Sequence, residues 1–221
     1  EERLPLVYLL NHCRYMGRRF SIRAGVIVPR SPIGDLLEAG LSPWLPAEVS
    51  TIIDLCSGSG CLGITAAHEF TGANVTLVEI DPLALSVAED NVRAHGLSAR
   101  VDIVAADVTT WYPEFPADLV LVNPPYVDAL DMAHLPKEFQ AEPSFGLAAG
   151  TDGLDVIKPI IDMRNKYVSQ TGLLVGEVGA SAAALLRQYP DLPFIWPELY
   201  AGGEGVFLLE GNAHNSHTAR G

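Results

Sequence analysis

Asn123-Pro124-Pro125-Tyr126 is the part of the chain most clearly built for chemistry. Two successive prolines fix φ twice and offer no N–H groups, so the carbonyls of such a turn point where the rings send them. Asn123 adds a side-chain carbonyl. Together they make a rigid cluster of acceptors suited to a planar NH₂ group, which has two protons to donate. Tyr126 can lie over that group and keep water away. A plain rigid turn ending a strand is the alternative for Pro-Pro alone. The full run, placed after a fourth strand and downstream of a glycine loop, favours the acceptor role.

That glycine loop is Gly58-Ser59-Gly60-Cys61-Leu62-Gly63, a G-x-G-x-x-G pattern between an apolar run and a helix-period stretch. Its glycines permit a tight turn and close approach of a ligand to backbone, with helix N-terminal N–H groups free to donate. Glu79, at the end of the next apolar run, is placed to accept from ribose hydroxyls. Asp107 follows a third run, where its carboxylate can accept from an exocyclic amine such as that of adenine, or serve as a turn or helix-cap aspartate. The pattern indicates an adenosine-containing ligand and does not separate NAD from S-adenosylmethionine. A Walker phosphate loop is excluded, because G-x-x-x-x-G-K-[ST] does not occur.

These residues need a scaffold, and the apolar patterning supplies one. Apolar runs alternate with helix-period stretches, which predicts an α/β chain with a mostly parallel sheet. Strands are expected at 51–56, 74–80, 100–104, 117–122, 173–178, 194–199 and 206–209, with helices at 64–70, from Pro82 to about Gly96, at 155–168 and at 182–188. Seven strands result, the last antiparallel through a hairpin at Gly202-Gly203-Glu204-Gly205. Ahead of them, 19–28 alternates around Gly25 as a small hairpin, and 33–39 reads as a short helix after Pro32. The domain division is an N-terminal extension over 1–44, a catalytic domain over 45–211, and a polar, disordered tail over 212–221. His214 and His217 on that tail read as solvated rather than metal-ligating.

Composition narrows the partner. Of 221 residues, 48% are apolar, enough for a buried core, and 27 acidic against 14 basic residues leave a formal charge of −13. That balance argues against a chain whose main task is gripping phosphates and suits a basic partner or a small ligand. No membrane-length apolar run or signal-peptide pattern occurs, and Cys13, Cys56 and Cys61 form no CxxC pair. Reduced thiols and a cytoplasmic location are the expectation.

Asp54-Leu55-Cys56-Ser57-Gly58-Ser59-Gly60 together with Asn123-Pro124-Pro125-Tyr126 resembles the class I S-adenosylmethionine-dependent methyltransferases that act on planar nitrogens. Asp152-Gly153-Leu154-Asp155 and Glu142-Pro143 resemble the HemK-like protein-glutamine branch. Within it, Val28-Pro29-Arg30-Ser31-Pro32-Ile33 is similar to the PrmB family, which modifies a glutamine of large-subunit ribosomal protein three. The release-factor sibling shows Pro-Arg-Pro and an acidic-Thr-Glu stretch instead. Val127-Asp128-Ala129, Asp131-Met132-Ala133, Leu135-Pro136 and Gly202-Gly203-Glu204-Gly205-Val206-Phe207 extend the likeness across about 6–209. Two departures stand out. The family usually carries a helical domain that would end about where this chain starts, and Arg23-Ala24-Gly25 replaces a commonly acidic stretch.

The resemblance implies a Rossmann-like fold and a protein-glutamine N-methyltransferase using S-adenosylmethionine, with S-adenosylhomocysteine as product and no metal. By that likeness Asp54, Cys56, Ser57, Gly58, Ser59 and Gly60 form the cofactor loop, Glu79 holds the ribose, and Asp107 with Val108 borders adenine. Asn123, Pro124, Pro125 and Tyr126 are the implied catalytic residues, and Asn123 also touches the cofactor. Asn123, Pro124, Tyr126 and Arg30 meet the substrate, a basic ribosomal protein. The rivals are a release-factor glutamine methyltransferase and an exocyclic-amine methyltransferase for RNA or DNA. A nicotinamide dehydrogenase and a non-enzymatic adenosine-ligand sensor are further rivals. The dehydrogenase leaves Asn-Pro-Pro-Tyr without a task, and the nucleic-acid enzyme lacks a basic run here.

Overall fold

The computed structural model describes residues 4–45, 48–128, 141–199 and 202–213. The expectations placed on 129, 131–133, 135–136 and the two tail histidines lie outside those residues.

A six-stranded sheet is the frame. Its strands are β3 (Thr51–Leu55), β4 (Asn74–Glu79), β5 (Val101–Ala105), β6 (Ala117–Val122), β7 (Val168–Glu177) and β8 (Val206–Glu210), in the order β5-β4-β3-β6-β7-β8. Only β8 runs antiparallel to its neighbour. Chain order grows leftward from β3 through β4 and β5, then restarts at β6 and grows rightward. The switch therefore lies between β3 and β6, and open α/β sheets bind ligands outside the strand ends at such a point.

The strands are apolar nearly throughout because both faces are covered. One face buries Ile52, Leu77, Leu119, Leu121, Leu173 and Val175 under α2 (Ile33–Glu38), α3 (Cys61–Glu69) and α4 (Pro82–Ala94). The alternate residues Ile53, Leu55, Val78, Val120, Val122 and Leu174 face α5 (Ile157–Asp162), α6 (Arg164–Tyr167) and α7 (Ala182–Gln188). The helix α4 starts where it does because Asp81 caps it, its Oδ1 accepting from the Ala84 N–H at 2.8 Å, with Pro82 in the first turn.

Three expectations need correction. The N-terminal hairpin is β1 (His12–Tyr15) with β2 (Arg18–Ser21), turning at Met16-Gly17, and not a pair around Gly25. It follows α1 (Leu6–Leu10), and Cys13, Tyr15 and Phe20 join the same apolar cluster as the sheet. The stretch 155–168 is two short helices broken at Met163, and Val168 already belongs to β7. Of 194–199 only Ile195 pairs, exchanging both backbone bonds with Leu208 at 2.9 and 2.8 Å, so the sheet has six strands. Pro193 and Pro197 flank that bridge, and neither has an N–H to extend it.

Candidate active site

Strand register puts four residue positions in one row at the carboxyl edge. Leu55 pairs with Val78 and Val122, and Val122 pairs with Gly176, so the next step is Glu79, Cys56, Asn123 and Glu177. All four line one cavity of about 520 Å³, within the range of small-molecule sites.

The glycine loop forms one wall. Gly58 has φ +55°, with no atom within 4 Å of where a Cβ would stand, so its face is open to a ligand. Gly60 has φ +78° and caps α3, its N–H donating to the Ser57 carbonyl at 2.8 Å. Gly63 is needed for space instead, since a Cβ there would lie 2.2 Å from Leu77 Cδ2. Its N–H donates to Asp54 Oδ2 at 2.8 Å.

Asp54 and Gly60 stand behind the cavity wall, whereas Cys56, Ser57, Gly58 and Ser59 line it. Asp54 is fully buried, and burial pushes its carboxyl up to about 7, against the pull of the Gly63 N–H. Glu79 steers the loop: Oε2 accepts from Gly58 N–H at 2.8 Å, and Oε1 accepts from Ile80 and Asp81 at 2.8 and 2.9 Å. Two oxygens offer four lone-pair directions, so one remains for a ligand hydroxyl.

Asp107 takes the turn role the sequence allowed and also faces the cavity. Its Oδ1 accepts from the Thr109 N–H and hydroxyl at 2.8 and 2.7 Å, bonds that hold its carboxyl below the usual range. The residue also lines the cavity, beside the buried Val108. Ile80 and Phe145, 60% and 56% exposed, form an apolar rim.

The Asn123–Tyr126 turn follows the neighbouring strand β6, with all four residues on the cavity. Among the described residues the Asn123 amide has no hydrogen-bond partner within the chain. The turn's exit is braced from several sides. Ser181 Oγ donates to the Tyr126 carbonyl at 3.0 Å, and Val127 N–H donates to the Leu147 carbonyl at 2.8 Å. Gly153 has room for no side chain there, because a Cβ would lie 2.4 Å from the Tyr126 carbonyl oxygen. Burial pushes the Tyr126 phenol above its ordinary range, and the adjacent Glu177 reinforces this.

The 28–31 segment closes the third side. Arg30 pairs with Glu142 Oε1 at 2.6 Å, and Glu142 Oε2 accepts from Val28 N–H at 2.9 Å. Glu142 and Gly153, which the sequence marked only by resemblance, thus brace the cavity wall. Glu177 escaped the sequence reading. Its signal was a lone carboxylate ending an otherwise apolar run, Leu173-Leu174-Val175-Gly176-Glu177, as Glu79 ends its own.

The donor set fits S-adenosylmethionine. The buried Ser57 hydroxyl on the loop has no partner, the Gly58 face is open, and carboxylates stand at the ends of two adjacent strands.

Comparison with known proteins agrees with this geometry. Residues 39–149 match the methyltransferase small domain family. The ribosomal protein uL3 glutamine methyltransferase of Francisella tularensis is 44% identical over 209 residues, which is 94% of this chain and 67% of that protein. The Bordetella pertussis protein of the same name is 39% identical over 94% of this chain and 70% of its own length. Among solved structures, the hMettl16 catalytic domain, crystallised with a MAT2A 3′UTR hairpin, superposes with a TM-score of 0.65 at 17% identity. It covers 87% of this chain and 75% of its own, and at that identity the likeness speaks for the fold. With the glycine loop, the Asn-Pro-Pro-Tyr turn and their braces in one cavity, and relatives matching from end to end of the fold, the chain belongs to the ribosomal protein uL3 glutamine methyltransferase family.

Proposed function

We propose that this chain transfers a methyl group from S-adenosylmethionine to the side-chain amide nitrogen of a glutamine in ribosomal protein uL3. The observation carrying this reading is the braced Asn123–Tyr126 turn. It shares the cavity with the glycine loop, and the Asn123 amide is unspent inside the protein.

An amide nitrogen is a weak nucleophile because its lone pair is delocalised into the carbonyl, so the turn acts by orientation and desolvation. The Asn123 side-chain carbonyl and the Pro124 backbone carbonyl each accept one N–H of the glutamine NH₂. That fixes the remaining lone-pair density toward the methyl donor. Positive charge grows on nitrogen as the new C–N bond forms and the sulfur–methyl bond breaks, the same two carbonyls stabilise it, and the extra amide proton is then released to solvent. Tyr126 covers the group and excludes water. When bound, S-adenosylmethionine would supply a methyl already activated by its sulfonium sulfur, with S-adenosylhomocysteine as the product.

The glycine loop cradles the methionine end, Glu79 takes a ribose hydroxyl with its remaining lone pair, and Asp107 with Val108 borders adenine. Arg30, at the cavity mouth and tied to Glu142, meets the protein substrate. The net charge of −13 complements a basic ribosomal protein. We read 1–44 as an extension to a methyltransferase domain over 45–211, working in the cytoplasm where its substrate is made. No described helix is long and apolar enough to cross a membrane.

The test is transfer of labelled methyl to ribosomal proteins from cells lacking this activity, with release factors and ribosomal RNA in parallel. Label on uL3 is the expected result. Label on a release factor discards the substrate assignment and keeps the turn chemistry. Label on RNA discards the glutamine.

A further inference from the structure

Glu177 is a buried carboxylate in the cavity wall that the reaction as described leaves without a task. It is 5% exposed and stands beside Asn123 in the row of strand ends. Its two oxygens serve two different walls. Oε1 accepts the Tyr126 phenol at 2.8 Å, and Oε2 accepts the Ser31 hydroxyl at 2.5 Å.

Each partner has further anchors, since Ser31 Oγ also accepts the Ile33 N–H at 3.3 Å and the Tyr126 carbonyl accepts Ser181, but among the described residues Glu177 is the group that the two hydroxyls share. The Tyr126 ring packs on the bare face of Gly179, where a Cβ would lie 2.7 Å from its Cε2. Ser31 sits in the segment that carries Arg30, with its carbonyl accepting the Tyr15 phenol at 2.7 Å. An ionised carboxylate accepts two hydroxyls at once, whereas a neutral carboxyl gives up one oxygen to its own proton.

We propose that ionised Glu177 is a positioning residue of this site: by accepting both hydroxyls it clamps the Asn123–Tyr126 turn and the 28–31 segment into one wall, and so sets the geometry in which the turn holds the amide. The inference rests on the glutamine-amide reading above. The charged or titratable groups facing the carboxylate are Arg30 from the segment, Tyr126 from the turn and Tyr15 from β1, with Glu142 behind Arg30. Burial raises the Glu177 carboxyl above its ordinary range, and Ser31, Tyr126 and Arg30 oppose that rise. Activity therefore falls on the acid side, as pH drops through this raised value.

The experiment is Glu177→Gln in the full chain, with three readouts. Hydrogen exchange of the free protein reports the Val28 and Val127 amides, both bonded in the native fold. Both are expected to exchange faster in the variant. The kcat on uL3 is expected to fall roughly ten- to hundredfold, as for loss of a charge-assisted bond, and the acid limb of its pH profile to vanish. The dissociation constant for S-adenosylmethionine, by calorimetry, is expected to stay within about threefold. Adding Tyr126→Phe to Glu177→Gln costs much less than Tyr126→Phe alone, because the two share one bond.

Unchanged exchange, or kcat within about twofold with the acid limb intact, overturns the proposal. If the wild-type chain fails to methylate uL3, the substrate reading fails while the exchange readout still decides on the clamp. Should Glu177→Gln not fold, Ser31→Ala and Tyr126→Phe take its place. Each is expected to loosen its own segment and, through the shared carboxylate, the other. Loosening confined to the mutated segment overturns the clamp.

Discussion

Replacing Asn123 by alanine separates a catalytic turn from a structural one. Asn123 is half-buried and, among the described residues, its side chain bonds to nothing in the protein. The variant therefore loses no internal hydrogen bond, and Tm is expected to move by less than about 3 °C. The backbone of the turn stays fixed by Pro124, Pro125, the Ser181 bond and the packing of Gly153. On the proposed reading, what disappears is one of two carbonyls that hold the reacting NH₂. Losing one such preorganised group costs roughly 100- to 1,000-fold in kcat. On the proposed reading the glycine loop, Glu79 and Asp107 carry most of the cofactor contacts, so its affinity is expected to change by less than about threefold. Single-turnover transfer of labelled methyl to uL3 measures the first quantity, and calorimetric titration with S-adenosylmethionine the second. A kcat loss below about tenfold, or an equal loss of cofactor binding, refutes the orientation argument.

Three further outcomes follow from the geometry. Gly63→Ala drives a Cβ into Leu77 and is expected to destabilise by about 1–3 kcal/mol, seen as a lower Tm; an unchanged Tm refutes the close packing of α3 on β4. Asp54 ionises near 7 when folded but near its ordinary value when unfolded, so its contribution to stability is full at acid pH and is lost as pH rises toward 7. Denaturant unfolding of Asp54→Asn should therefore lose part of the decline in stability between about pH 4 and pH 7, and the same slope in both proteins contradicts the burial argument. With a charge of −13 against a basic substrate, raising ionic strength from about 0.05 to about 0.5 M is expected to raise KM for intact uL3 more than for a short glutamine peptide. Equal effects remove charge from substrate recognition.

The sequence made the two site motifs and the central strands legible for different reasons. β6 and α7 fall at the residues expected, because an uninterrupted apolar run and an alanine-leucine helix have little competition. The glycine loop was readable because positive φ at Gly58 and Gly60 demands that residue type. The N-terminal hairpin was not, since its turn uses Met16 at φ +45°, a residue no turn preference selects. Gly25, taken as that turn, instead lets a loop pass close to Leu83 of α4. Local pattern also could not reveal that Glu142 and Glu177 converge on the cavity. Glu142 lies 112 residues from Arg30 and Glu177 lies 146 from Ser31, and only tertiary folding joins them.

If this turn holds an amide nitrogen of uL3, the methyl ends on that nitrogen. The most direct test is to react the purified chain with labelled S-adenosylmethionine and uL3, map the labelled peptide by fragmentation, and hydrolyse it in acid. A glutamine carrying the label, released on hydrolysis as methylamine, is the predicted result. Label retained on an acid-stable lysine, arginine or histidine would contradict the account.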